Sequence, residues 1–312
     1  MIVPSGASIS ATWAGVARRA AAALLAPILI LALAGCQDAP GEGQDSGPPN
    51  PLFYEIASAD GAVEGWMVGT IHALPDGTIW RTPEITAAIN KADLLLVEIA
   101  DLDDKTALPQ IFAQLATTPG QPPLDRRLPA KLHTNLDALL DRGGLDAAQF
   151  TSVETWAAAL TLAQVTAEGD PANGVDRALI ADFDGRPVRE FEGARVQLSI
   201  FDRLPEADQR ALLAAVVRDA DQASTEAARL RRAWRSGDAA AIEAASQSGI
   251  LADAEVRSAL LTARNRDWVA KLLPQLEAEP RPLIAVGAAH LVGPEGLAAL
   301  LEAQGYRVRR LP

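Results

Sequence analysis

Cysteine is nearly absent from this chain: one in 312 residues. An internal disulfide is therefore impossible, and zinc sites built on several thiolates are excluded with it. Histidine is almost as scarce, with His72, His133 and His290 the only three. Any metal would have to be held by these and by carboxylates. Positive charge is in deficit as well. Lys and Arg number 28 against 40 Asp and Glu, for a net charge of -12, and no basic cluster offers a phosphate-tracking face. That excludes nucleic acid as a partner. No P-loop, HExxH, G-x-S-x-G or dinucleotide fingerprint occurs. What remains is a chain 49% hydrophobic and 22% charged, the composition of a globular protein.

The lone cysteine has a local context. Residues 1–35 carry only Arg18 and Arg19, followed by an apolar run from Ala20 to Gly35, too short for the roughly 20 residues that span a bilayer. The run closes on Leu33-Ala34-Gly35-Cys36, which resembles a bacterial lipobox. Residues 1–35 are thus expected to be a lipoprotein signal peptide and Cys36 the lipidated N-terminus of the mature protein. Gln37, rather than Asp, points to the outer membrane over the inner. Loss of Arg18 and Arg19 takes the charge from -12 to -14, so the lipid alone must hold the protein to the envelope. Residues 36–50, with the run QDAPGEGQDSGPPN, bury nothing and read as a disordered tether, leaving one domain over 51–312.

Within that domain β-type runs gather at the two ends: 52–57, 65–72, 93–100, 187–192, 282–290 and 306–311. The stretch from about 103 to 280 is mostly helical in pattern. Thr82-Pro83-Glu84 opens one helix, Thr151 with Glu154 resembles a capping box, and Gly143 and Gly305 close two others. The expectation is an α/β fold: a central mixed sheet of N- and C-terminal strands with a large helical insertion. In open sheets of this kind, sites collect at strand carboxyl ends.

Two of the apolar runs end in the same frame. Gly69-Thr70-Ile71-His72 follows one, Gly287-Ala288-Ala289-His290 follows another, and a third, LLLV, runs into Glu98. Glycine at a strand end allows a tight turn and close backbone approach, so that the histidine can face back over the sheet edge. Two neutral imidazoles and a carboxylate suffice for a divalent ion with positions left for water. Glu98, next to a core strand, calls for a cationic partner to remain charged. His133 lies in an amphipathic pattern and reads as a packing or surface residue.

These residues, with GVDRAL at 174–179, FEGARVQL at 191–198, WRSGD at 234–238 and ARNRDW at 263–268, resemble the TraB/GumN family over nearly all of residues 51–312. The family is similar to the Tiki metalloproteases. The resemblance implies a metal-dependent peptidase-like hydrolase with His72, His290 and Glu98 at a Mn²⁺, Co²⁺ or Zn²⁺ ion, and Arg264-Asn265 as its arginine-asparagine pair. Asp176 and Glu192 are looser matches, and Phe191-Glu192-Gly193 stands where the family usually has Leu-Glu-Thr. Such an ion would polarise a carbonyl and acidify water, with Glu98 as ligand or general base and Arg264 and Asn265 holding a developing oxyanion or a substrate carboxylate. The expected partner is an envelope peptide or protein. The other readings are a non-catalytic lipoprotein that sequesters a peptide or envelope polysaccharide, and an accessory protein of exopolysaccharide export.

Overall fold

A computed structural model describes residues 47–104, 106–277 and 281–312. The signal peptide, Cys36 and the tether as far as residue 46 lie outside the described residues. Residues 47–50 lie within them and are held: Asn50 N–H donates to the Arg235 carbonyl, and Arg310 donates to that of Asn50. Among the described residues no helix is long and apolar enough to cross a membrane. The described chain divides into two compact units.

The first is built on a six-stranded mixed sheet, as the apolar runs predict. Its strands are β1 (Phe53–Ala57), β2 (Val63–Thr70), β3 (Leu94–Val97), β4 (Val188–Glu190), β5 (Pro282–Gly287) and β6 (Arg307–Arg310), in the order β4-β3-β5-β2-β1-β6. The four strands from β4 to β2 pair in parallel, and β1 and β6 complete the sheet antiparallel. β3 reads LLLV and β5 PLIAVG, every residue buried, because a parallel strand covered on both faces has no polar side to alternate with. Their register matters for the site. Val97 pairs with Ala285 and Thr70 with Gly287, so the carboxyl ends of β2, β3 and β5 lie side by side.

Helices α1 (Pro83–Lys91), α5 (Val175–Asp182), α8 (Ala223–Ser236), α9 (Ala239–Ala245), α10 (Ala263–Leu276) and α11 (Leu297–Ala303) belong to this unit. α1 starts where Thr82 Oγ1 accepts from Ile85 N–H with Pro83 behind it, as expected. α10 is entered through a π-turn, Ser258–Thr262.

The second unit contains α2 (Ala107–Ala116), α3 (His133–Gly143), α4 (Thr155–Ala163), α6 (Ala194–Asp202) and α7 (Glu206–Asp219). α4 is apolar on all sides and buried from Thr155 to Leu162, which makes it the central rod of this unit. Trp156 on it meets Phe112 edge-on at 5.5 Å and stacks on Phe201 at 6.3 Å. The expected capping box at Thr151 and Glu154 does not form. Thr151 Oγ1 donates to the Ala148 carbonyl, and α4 begins after Glu154 with no side-chain cap. The reciprocal pair is instead Asp146 with Gln149. α3 runs to Gly143, the glycine expected to close it, and the left-handed cap is the next residue, Gly144, whose φ of 59° glycine adopts freely.

Candidate functional site

The register of β2, β3 and β5 brings His72, Glu98 and His290 to one edge of the sheet. The point where a Cβ on Gly287 would sit lies 3.3 Å from Glu98 Oε1, 3.7 Å from His290 Cδ2 and 3.9 Å from His72 Nε2. Gly287 is therefore the floor on which the three side chains meet. Neither frame glycine has a positive φ. What each supplies is close approach: a Cβ at Gly69 would stand 3.0 Å from that of Ala288. Gly174 does the same for α5, since a Cβ there would fall 2.4 Å from the His72 carbonyl oxygen.

That approach explains the next contact. The first turn of α5 carries Asp176, 4% exposed, and His72 Nδ1–H donates to its Oδ2 at 2.7 Å while Thr70 Oγ1–H donates to Oδ1 at 2.7 Å. The ring is thus turned so that Nε2 is the nitrogen able to take a proton. Burial works to lower the His72 pKa, but the Asp176 charge and hydrogen bond, helped by Glu98, raise it on balance above the ordinary 6.5.

His290 is held differently. Its Nδ1–H donates to Asn265 Oδ1 at 2.5 Å, and its ring packs 4.4 Å from that of Trp268. Its Nε2 accepts from Arg264 Nη1–H at 3.2 Å. Burial and the adjacent guanidinium push its pKa down to about 3, so it is neutral.

Arg264, 4% exposed, joins these groups. Its Nη2 donates to Glu98 Oε2 at 2.7 Å and to Glu192 Oε2 at 2.9 Å, its Nε donates to Glu192, and its Nη1 donates to the Leu260 carbonyl and to His290. A guanidinium has five N–H groups. All five have protein acceptors here, so in this arrangement none is left for an oxyanion or a substrate carboxylate. Asn265 likewise serves His290 and, through Nδ2–H, the Glu295 carbonyl. Burial would raise the Glu98 pKa, yet Arg264, the two imidazoles and the Gly287 N–H together hold it well below the usual carboxylate range.

Glu192 accepts from Trp268 Nε1–H at 2.9 Å as well as from Arg264, and so fixes the guanidinium. It and Asp176 carry more of the site than their loose sequence match suggested. Nothing in the sequence pairs Asp176 with His72, 104 residues away. His133 takes no part in this cluster; its Nε2–H donates to the Asp125 carbonyl at 2.9 Å.

A divalent ion would make definite demands of this donor set. Ligands share an ion by each approaching to about 2.0–2.2 Å with a free lone pair. Here the guanidinium engages both His290 Nε2 and Glu98 Oε2, and His290 Nε2 stands 4.0 Å from Glu98 Oε1. Among the described residues no group of three or more His, Cys, Asp or Glu side chains could hold an ion. In this arrangement the residues do not fit the metal that the resemblance implies.

The chain matches the family model for the TraB/PrgY/gumN family over residues 52–310. No curated protein and no solved structure matches it. With nearly the whole domain covered, the chain belongs to the TraB/PrgY/gumN family.

Proposed function

We propose that this member of the TraB/PrgY/gumN family is an envelope-anchored hydrolase, acting on peptide or protein substrates, in which His72 is the general base. One observation carries the reading: an imidazole tied through Nδ1 to the buried Asp176 presents Nε2 beside the ionised Glu98. In the reaction water attacks the substrate carbonyl while its proton passes to His72 Nε2. When the tetrahedral carbon collapses, that proton goes to the leaving amine. Asp176 keeps the proton on Nδ1 and favours the imidazolium formed in between, and the Glu98 charge adds to this. Arg264 keeps Glu98 ionised without touching substrate, and Glu192 and Asn265 position Arg264 and His290.

A second reading is the metal-dependent hydrolase. It is favoured by both imidazoles having Nδ1 tied to an oxygen acceptor, as ligating histidines commonly do to present Nε2. The test is cleavage of a panel of envelope peptides by the full chain in detergent, with and without chelator. Cleavage that resists chelator and is lost in His72→Ala supports the general base. Cleavage abolished by chelator and restored by Mn²⁺, Co²⁺ or Zn²⁺ supports the metal reading. Tight binding of a peptide with no cleavage in any condition returns the protein to the sequestering lipoprotein.

The location part of the proposal rests on the lipobox at Leu33 to Cys36. The wild type should fractionate with membranes, the outer more than the inner, and Cys36→Ser should be released to the periplasm. Equal solubility of the two overturns it.

A further inference from the structure

We infer that the Arg264 guanidinium is the built-in cation of a two-histidine, one-carboxylate centre, so that a divalent ion can enter only when this side chain is removed. The observation is a disagreement between two halves of the site. The backs of both imidazoles are arranged as in a metal centre, with Nδ1–H on Asp176 and on Asn265. Their fronts are not. Arg264 reaches across to Glu98 at 2.7 Å and to His290 Nε2 at 3.2 Å, satisfying with one positive group the carboxylate and the lone pair an ion would take.

The guanidinium is not a casual occupant. Glu192 grips its Nε and Nη2, Leu260 accepts from Nη1 at the π-turn, and its Cζ lies 4.6 Å from the centre of the Trp268 ring. A divalent ion in the same space would face a fixed positive charge a few ångströms away, in a pocket where water screens little. With the side chain cut back to alanine, Glu98 and Glu192 lose the guanidinium they share, and His290 Nε2 is released. The vacated space is then lined by two imidazoles and two carboxylates, the donors that Mn²⁺, Co²⁺ and Zn²⁺ accept. The inference rests on the ion-free form of the proposed hydrolase but concerns binding, not turnover.

The experiment is equilibrium dialysis of the full chain against Co²⁺, read by metal content per chain and by the visible Co²⁺ absorption. Wild type should hold no Co²⁺ above the level of His72→Ala. Arg264→Ala should hold about one ion per chain, lost again in Arg264→Ala/His290→Ala. Melting temperature gives a second readout, since Co²⁺ should raise it in Arg264→Ala and leave it unmoved in the wild type. Should Arg264→Ala fail to fold, Arg264→Met keeps the stem against Trp268 and takes its place. Free guanidinium at millimolar levels should also raise the melting temperature of either variant in the absence of metal. One Co²⁺ per wild-type chain that depends on both histidines overturns the inference, and so does an arginine-free variant that folds but binds none. Neither result bears on whether peptides are cleaved, so failure here is separable from failure of the hydrolase.

Discussion

The two Gly-x-x-His turns share a four-residue frame, follow neighbouring parallel strands and yet produce opposite imidazoles. After β2 the ring is 17% exposed, backed by a carboxylate, and more basic than usual. After β5 it is 3% exposed, backed by an amide, faced by a guanidinium, and held at a pKa of about 3. The frame sets where the ring goes. What lies behind Nδ1 and in front of Nε2 sets what it can do, and those groups come from α5, the β3 end and α10, far off in sequence.

The contrast is broken most directly by deleting each ring. His72→Ala should lower turnover by roughly 10²–10⁴-fold, the usual worth of a general base, with the fold kept. His290→Ala should chiefly cost stability, on the order of 2–4 kcal/mol, because Asn265 Oδ1 and an Arg264 N–H lose a buried partner. Paired peptide-cleavage rates and denaturant melts check both. If His72→Ala turns over normally, the two rings are not specialised as described.

Exchanging the backing groups should give smaller effects. Asp176→Asn removes the negative charge behind His72 and should cost about 10–100-fold in rate, while lowering the pKa of that ring. Asn265→Asp should move the His290 pKa upward from about 3. NMR titration of the ring protons reads both shifts, and unchanged values would show that the backing groups do not control the rings.

Next in size is the response to acid. His290, depressed from its ordinary 6.5 to about 3, contributes stability that is full above pH 6.5 and is lost as pH falls toward 3. His72, raised, acts in the opposite sense, its contribution full below 6.5 and lost as pH rises through its folded value. Between pH 6.5 and 4.5, above the ordinary Glu range, melts should therefore show a loss of up to about 1.4 kcal/mol per pH unit, and His290→Asn should flatten it. A slope equal in the two proteins would assign it elsewhere. Smallest of all, His133→Gln should change stability by no more than about 0.5 kcal/mol, since that ring makes one hydrogen bond away from the cluster.

How far this was legible in the sequence follows from the range over which each signal acts. The strands were readable because LLLV and PLIAVG are continuous apolar runs bounded by turn residues, a local signal. So were the two glycine frames, and with them His72, Glu98 and His290. The capping box at Thr151 was misread because four residues do not reveal which of two adjacent turns the helix grows from. The reading of Arg264 as a substrate holder supplied the charge but not its acceptors, which lie 72 and 166 residues away on Glu192 and Glu98. Asp176 gave only an acid in the first turn of a helix, as many helices have.

The π-turn before α10 sets the phase of that helix. A π-turn holds one residue more than the α-turn it replaces, so the chain on either side is offset by about 100° of helical rotation. Val256 before it, Leu260 and Leu261 within it and Arg264, Asn265 and Trp268 after it are all buried. A continuous α-helix could not keep both sets at their present azimuths. Insertions and deletions between 258 and 262 would thus act as rotations, exchanging Arg264-Asn265 for their neighbours while leaving every residue of the pair in place. A relative with one residue fewer there can carry the same Arg-Asn letters on a face that never meets its glutamates.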